Sequence, residues 1–415
     1  MTTEPARALG LSLPLWSVLP FAGFLLSLAV FPLVRPGLWS RHYGKVSLAF
    51  GLPVAGWFLF AAPTELMHAA GEYLSFLVLL GALFTISGGI LVRGSFRATP
   101  WINAGFLLGG SLLSNLLGTT GAAMLLLRPL LRANAHRPRS VHVVIFFIFT
   151  VANIGGSLTP IGDPPLFLGF LKGVPFFWPM GALWPVWLVT VALVVGIFLI
   201  VDRRFAKLDG NRSDAPGEAA PLAIDGKVNF LLLLPAIGAV FLPTPWRETV
   251  MAAATVLSAR LTPRATRDEN GFTWHPIKEV AILFAAIFAT MIPALLIMKS
   301  RGGELGLSLP WHFFWGTGTL SSFLDNAPTY LTFFSIAQGM GGGTGVAGVA
   351  PKLLAAISAG AVFMGATTYI GNAPNFMVKA IAEEAGVRMP SFFGYMAWSC
   401  AVLIPVFIVV TLLFF

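Results

Sequence analysis

The sequence predicts an all-α polytopic membrane protein built from two inverted repeats, each with five membrane crossings, a re-entrant hairpin and an interrupted helix. Three observations carry this. Hydrophobic residues make up 56% of the 415 positions and charged residues only 10%, against roughly 25% charged in ordinary soluble domains. Apolar runs recur along the chain at lengths near the roughly 20 residues that a hydrocarbon core requires. The order of unbroken and broken apolar segments before residue 205 recurs after residue 227.

The first repeat covers residues 1–204. Its spans are expected at 14–34, 46–62 and 73–92, followed by a broken segment at 103–132 that reads as a hairpin entering and leaving on one side. An interrupted helix follows, 141–158 running into "TPIGDPP" (159–165), and then a last span at 178–201. Residues 205–227 are polar, with Gly, Pro, Ser and both charge signs, and read as a cytoplasmic linker. The second repeat, 228–415, has spans at 228–243, 249–261 and 279–298, a broken hairpin at 309–338, an interrupted helix from 349–366 into "TYIGNAP" (368–374), and a last span at 392–415. The first apolar run lacks a preceding basic segment and a cleavage site, and is expected to stay as a helix.

The net charge of +9 is topological. With ten crossings and the N-terminus outside, 20 of the 26 Lys and Arg residues fall on the inner side, among them Arg41, Arg97, Arg132, Arg204 and Arg267. That partition follows the positive-inside rule and argues against nucleic acid as a partner. Cys400 is the single cysteine, so no internal disulfide framework is possible.

The repeat is visible in residues. "GSLTPIGDPPLF" (156–167) aligns with "GATTYIGNAPNF" (365–376) at a constant offset of 209, with identical Gly156/Gly365, Thr159/Thr368, Ile161/Ile370, Gly162/Gly371, Pro165/Pro374 and Phe167/Phe376. Asn372 stands where Asp163 stands. The hairpin tips form a weaker pair, "SNLLGTTG" (114–121) and "SSFLDNAP" (321–328). Five crossings per repeat is odd, so the second must lie upside down relative to the first. Inverted repeats with broken helices mark secondary transporters whose site lies at the bilayer midplane.

Of the 17 acids, Asp163 and Asp325 are the two expected at membrane depth. A charge there costs several kcal/mol, so such residues are commonly functional. Both lie in helix breaks, where freed backbone oxygens are tolerated only around a cavity. Carboxylates with amides and carbonyls form a hard-oxygen set that suits an alkali cation. Asp163, Asp325, Asn326 and Asn372 are therefore candidate Na+ ligands. The plainer alternative is that each Asp caps a broken helix through free N–H groups. Neutral polar residues cluster at the same breaks: Asn115, Thr119 and Thr120 at the first tip, Thr329 at the second, Asn153 and Thr159 in the first interrupted helix, Thr367 and Thr368 in the second. The six His residues show no metal-ligand spacing, and only His142 and His312, near the interfaces, stand out.

The stretch 116–178, with "SSFLDNAPTYL" (321–331) and "GATTYIGNAPNFMVKAIAEEAGV" (365–387), resembles the ion transporter superfamily and within it the sodium/proton antiporters of the NhaD type. The resemblance implies a homodimer whose transport domain moves against a scaffold in an elevator motion. It implies exchange of Na+ or Li+ for H+ in a bacterial inner membrane, with no cofactor and no enzymatic activity. Relatives in that superfamily carry dicarboxylates, citrate or arsenite, so a Na+- or H+-coupled carrier of a small anion is the alternative. Dicarboxylate carriers of this kind show Ser-Asn-Thr at both tips. Here the first tip reads Ser114-Asn115 and the second Asp325-Asn326, which would repel a dianion.

Overall fold

The computed structural model describes residues 4–94, 98–209, 223–340 and 345–415. The chain is all-α apart from one two-stranded ribbon. A short α1 (Glu4–Ser12) leads into α2 (Leu19–Val34), α3 (Pro36–Ala61) and α4 (Pro63–Ser87). Then come β1 (Leu91–Arg93), α5 (Pro100–Ala133), α6 (Val141–Thr150), α7 (Pro164–Leu171) and α8 (Trp178–Asp209). The second half holds β2 (Ala223–Asp225), α9 (Val228–Gly238), α10 (Trp246–Leu261), α11 (Arg264–Glu269) and α12 (His275–Arg301). It ends with α13 (Pro310–Phe323), α14 (Asn326–Gly339), α15 (Pro351–Met364), α16 (Ala373–Glu384) and α17 (Phe392–Phe414). Proline opens α3, α4, α5, α7, α13 and α15. Its fixed φ is pre-set for a helix, and its missing N–H falls where no intrahelical acceptor exists.

Both broken segments are hairpins. α5 runs for 34 residues but leaves helical geometry at Gly118 (φ 74°, ψ 157°), a left-handed φ that favours glycine. A straight helix would hold Asn103 and Asn134 roughly 46 Å apart. Instead their side-chain amides exchange hydrogen bonds of 3.1 and 2.8 Å. The second hairpin is α13 and α14, joined at Leu324–Asp325, with Phe313 edge-on to Phe333. The bases of the two hairpins lie at opposite ends of α12. Gly271, just before α12, lies against Arg128 of the first hairpin, whereas Gly302, just after it, packs on Ile336 of the second.

The helices sort into two groups. α2 and α3, with α4, α9, α10 and α12, pack mainly on one another; α5–α8 and α13–α17 form the other group, joined to the first where α14 crosses α12 and where α5 and α7 meet α4. The most buried span lies in the second group. The stretch Val141–Leu158 is 94% buried by protein, against 17% for α2 and for α3, so α6 is a central rod and α2 and α3 face lipid. β1 and β2 occupy the two connections between the groups on one face and pair antiparallel, Leu91 with Asp225 and Arg93 with Ala223.

Some expectations need adjustment. Among the described residues eight helices are long and apolar enough to cross a membrane, but one of these is the folded-back α5. The spans expected at 228–243 and 249–261 are short: α9 has 11 residues and α10 has 16, and neither alone reaches across a core of about 30 Å. The segment read as linker is partly ordered. Residues 205–209 continue α8 and 223–225 form β2, while 210–222 lie outside the described residues. α4 begins at Pro63, ten residues before the apolar run, which places Glu65 and Glu72 inside a helix.

Candidate functional site

The two interrupted helices have the same local geometry. After α6, a 3-10 turn (Ile154–Leu158) leads into extended Thr159 (φ −137°, ψ 155°), and Asp163 (φ −145°, ψ 143°) starts α7. After α15, a 3-10 turn (Gly365–Thr367) leads into extended Thr368 (φ −133°, ψ 167°), and Asn372 (φ −150°, ψ 140°) starts α16. Each turn closes on a glycine pair. A Cβ on Gly162 would lie 2.1 Å from the Gly156 carbonyl oxygen, and one on Gly371 would lie 2.5 Å from that of Gly365. At Gly162 and Gly371 the backbones approach so closely that only glycine fits, which accounts for one of the aligned identities.

Much of the polar cluster is used to satisfy the broken backbone. Asn115 accepts from the Leu158 N–H at 2.8 Å and donates to the Gly155 carbonyl at 2.7 Å. Thr159 Oγ1 donates to the Asn115 carbonyl at 2.6 Å and accepts from Gly162 N. Thr368 does the equivalent work, donating to the Ser322 carbonyl and accepting from Gly371 N. Thr329 Oγ1 donates to the Asp325 carbonyl at 2.9 Å. Thr367 offers its carbonyl to Ser399 Oγ at 2.6 Å. Buried backbone groups left without partners would each cost about 1–3 kcal/mol, so the side chains of Asn115, Thr159, Thr329 and Thr368, with Ser399, hold the breaks in place.

The remainder converge on one acid. Asp163 is 1% exposed. Thr119 Oγ1 and Asn372 Nδ2 donate to its Oδ1 at 3.0 and 3.2 Å, and Asn326 Nδ2 donates to its Oδ2. The donors come from the first hairpin tip, the second interrupted helix and the second hairpin tip, so all four breaks meet at this carboxylate. Asn153 holds Asn372 from behind, accepting at 3.2 Å while donating to Asn375 Oδ1 at 2.6 Å. Asn326 Oδ1 is buried with no partner of its own, which leaves an acceptor oxygen on the residue bonded to the acid.

Asp163 and Asp325 differ in kind. Asp163 begins α7 without a side-chain capping bond, whereas Asp325 caps α14 by accepting from Ala327 N at 3.0 Å. Capping therefore explains part of Asp325 and none of Asp163. Asp325 and Thr120 line the same pocket as Asp163 and Asn372. A wider vestibule, about 2270 Å³ with its mouth, reaches Asp325 and Asn372 from the end of the molecule that carries Arg128 and His275. At the opposite end, Lys172 of α7 bonds to Glu72 of α4 at 2.6 Å, joining the two helix groups.

Sequence reasoning missed a second buried polar cluster at the base of the first hairpin. Asp202 of α8 takes Arg137 and, at 2.8 Å, His142 on one oxygen and Asn103 at 3.0 Å on the other. Its side chain and that of Arg137 are both fully buried. His142 stood out near an interface; Asp202 did not, because its neighbours read as the start of a polar linker.

Helical hairpins, paired broken helices and one acid bonded by neutral side chains at their crossing fit a membrane transporter. The chain belongs to the CitMHS_2 family, described as "Putative citrate transport", whose match covers residues 10–415. That is a transporter family of the ion transporter type, and the match does not single out the NhaD branch. No curated protein matches the chain.

Proposed function

We propose that the protein exchanges Na+ or Li+ for H+ at Asp163, with Asp325 and the Asn326 oxygen completing the cation's ligand set. The observation that supports this is the position of Asp163. Helices α7, α14 and α16 all begin at the site, and converging helix N-termini favour an anion. The protein supplies that anion itself. The place where an anionic substrate would be neutralised holds a fixed carboxylate, which can take a proton or a small cation in turn. The oxygens around it are hard donors suited to an alkali ion.

In this reading the group of α5–α8 and α13–α17 moves as the transport domain against a scaffold of α2–α4, α9, α10 and α12, and two copies associate through their scaffolds. The vestibule opens to the cytoplasm of a bacterial inner membrane, the N-terminus lies outside, and Lys172 with Glu72 closes the outer face.

The second reading is a Na+- or H+-coupled carrier of a tricarboxylate, favoured by the family's description. Proteoliposomes separate the two. Proton flux is expected on adding Na+ or Li+, with no requirement for citrate or other anions. Flux that needs citrate and ignores Na+ and Li+ in its absence would make the second reading the right one.

A further inference from the structure

We propose that Glu279 concentrates the transported cation in the vestibule, a role that rests on the cation/proton reading above. Four charged or titratable side chains apart from tyrosines line the vestibule: Arg128, His275, Glu279 and Asp325. Arg128 has its own counter-charge, Glu384, at 3.6 Å. Asp325 sits at the inner end and caps α14. Glu279 lies between mouth and site on α12, beside the apolar Val280 and Leu283 that line the same cavity.

Its surroundings give it no structural duty. Among the described residues its one ion-pair neighbour is His275, one helical turn nearer the mouth, with Nδ1 3.9 Å from the carboxylate. Among the described residues no donor is hydrogen-bonded to Glu279, yet its side chain is only 34% exposed. A half-buried acid without a donor is a net cost to the fold. What it gains is field. A negative charge on the low-dielectric wall of a cleft raises the local concentration of cations and speeds their arrival.

The placement has a sidedness. α12 packs on α3 and α4, in the group opposite to the one that carries Asp163. Glu279 therefore faces the ion only when the site opens to this vestibule. An ion that loads from the other face does not pass it on the way to the site.

The test is Na+-driven proton flux in oriented proteoliposomes, with Na+ titrated from each face at low and high ionic strength. For Glu279→Gln the half-saturating Na+ on the vestibule side is expected to lie about fivefold above wild type at low ionic strength, and the difference is expected to vanish as an impermeant salt screens the wild-type charge and raises the wild-type value. From the other side it stays unchanged, the maximal rate is kept, and Glu279→Asp restores most of the affinity. A wild type with Na+-driven flux and a Glu279→Gln variant that is unchanged, affected equally from both sides, or different from wild type to the same extent at low and high ionic strength overturns the proposal alone. A wild type without Na+-dependent flux overturns the transport reading and this proposal with it.

Discussion

Asp163 and Asn372 hold equivalent places 209 residues apart, share an extended backbone geometry and are bonded to each other, amide to carboxylate, at 3.2 Å. Two stretches of similar sequence and backbone geometry thus meet with complementary chemistry. One contributes the acid, the other the donor. Two acids at that distance would repel, and the pair would hold a single full charge.

Replacing Asn372 by Asp tests this. The variant is expected to fold, to transport with an alkaline shift of its pH profile, and to lose affinity for Na+ at neutral pH, because the paired carboxylates share a proton. Flux measured from pH 6 to 9 in proteoliposomes gives the answer. A profile identical to wild type would mean that the 3.2 Å contact is absent in the working protein.

The two acids should separate in a substitution series. Asp163→Asn deletes the titratable oxygen but keeps a hydrogen-bonding side chain, so thermal stability should change by no more than about 1 kcal/mol while Na+-driven flux falls to the level of empty liposomes. Asp325→Asn keeps the helix cap, since Asn caps as well as Asp, and should retain part of the flux. From the sequence alone Asp325 looks the more critical, because Asn326 beside it offers a second oxygen. With Asn326 donating to Asp163, the larger loss of flux is expected at Asp163.

The first hairpin should expose both its ends on one face. Arg132 bonds to the Val92 carbonyl, so Gly94 and the exposed His136 lie on the same side. Single cysteines at those two positions, with Cys400 replaced by Ser, are expected to react with an impermeant maleimide from the same side of the membrane. Reaction from opposite sides would turn α5 into a crossing helix.

The buried cluster at the hairpin base makes a stability prediction. Asp202→Ala takes the nearer carboxylate from the buried Arg137 guanidinium and leaves it only Asp209, at 3.7 Å, at a cost of about 3–5 kcal/mol. Asp202→Asn should cost less, because it keeps acceptors for Arg137 and His142. Thermal unfolding followed by tryptophan fluorescence checks the order. Equal melting points for the two variants would show that charge rather than hydrogen bonding governs the cluster.

How much of this could be read from the chain depends on distance along it. The breaks were legible because Gly156, Gly162, Gly365 and Gly371 and the prolines at 164, 165 and 374 act locally. Backbone proximity and missing N–H groups dictate a break wherever they stand. The candidate residues were legible as a set but not by role. Asn115, Thr159 and Thr119 are chemically alike in sequence, and only the folded hairpin decides that two of them serve backbone and one serves Asp163. Asp202, Glu72 and Glu279 escaped notice for another reason. Each sits near the end of an apolar run, where an acid normally meets water, and only helix length and tertiary packing bury it.

The deep vestibule also has an electrical meaning. An opening filled by solvent conducts, so little of the transmembrane voltage drops along it. The insulating layer that remains runs from Asp163 along α7 to Lys172, eight helical residues or roughly 12 Å of helix, instead of a core of about 30 Å. A charge crossing that layer still feels about 2.3 kcal/mol for each 100 mV, but over less than half the distance, so the force on it is more than doubled. In the transport reading, a membrane voltage becomes a steep local field where the two hairpins meet, with one carboxylate at its edge.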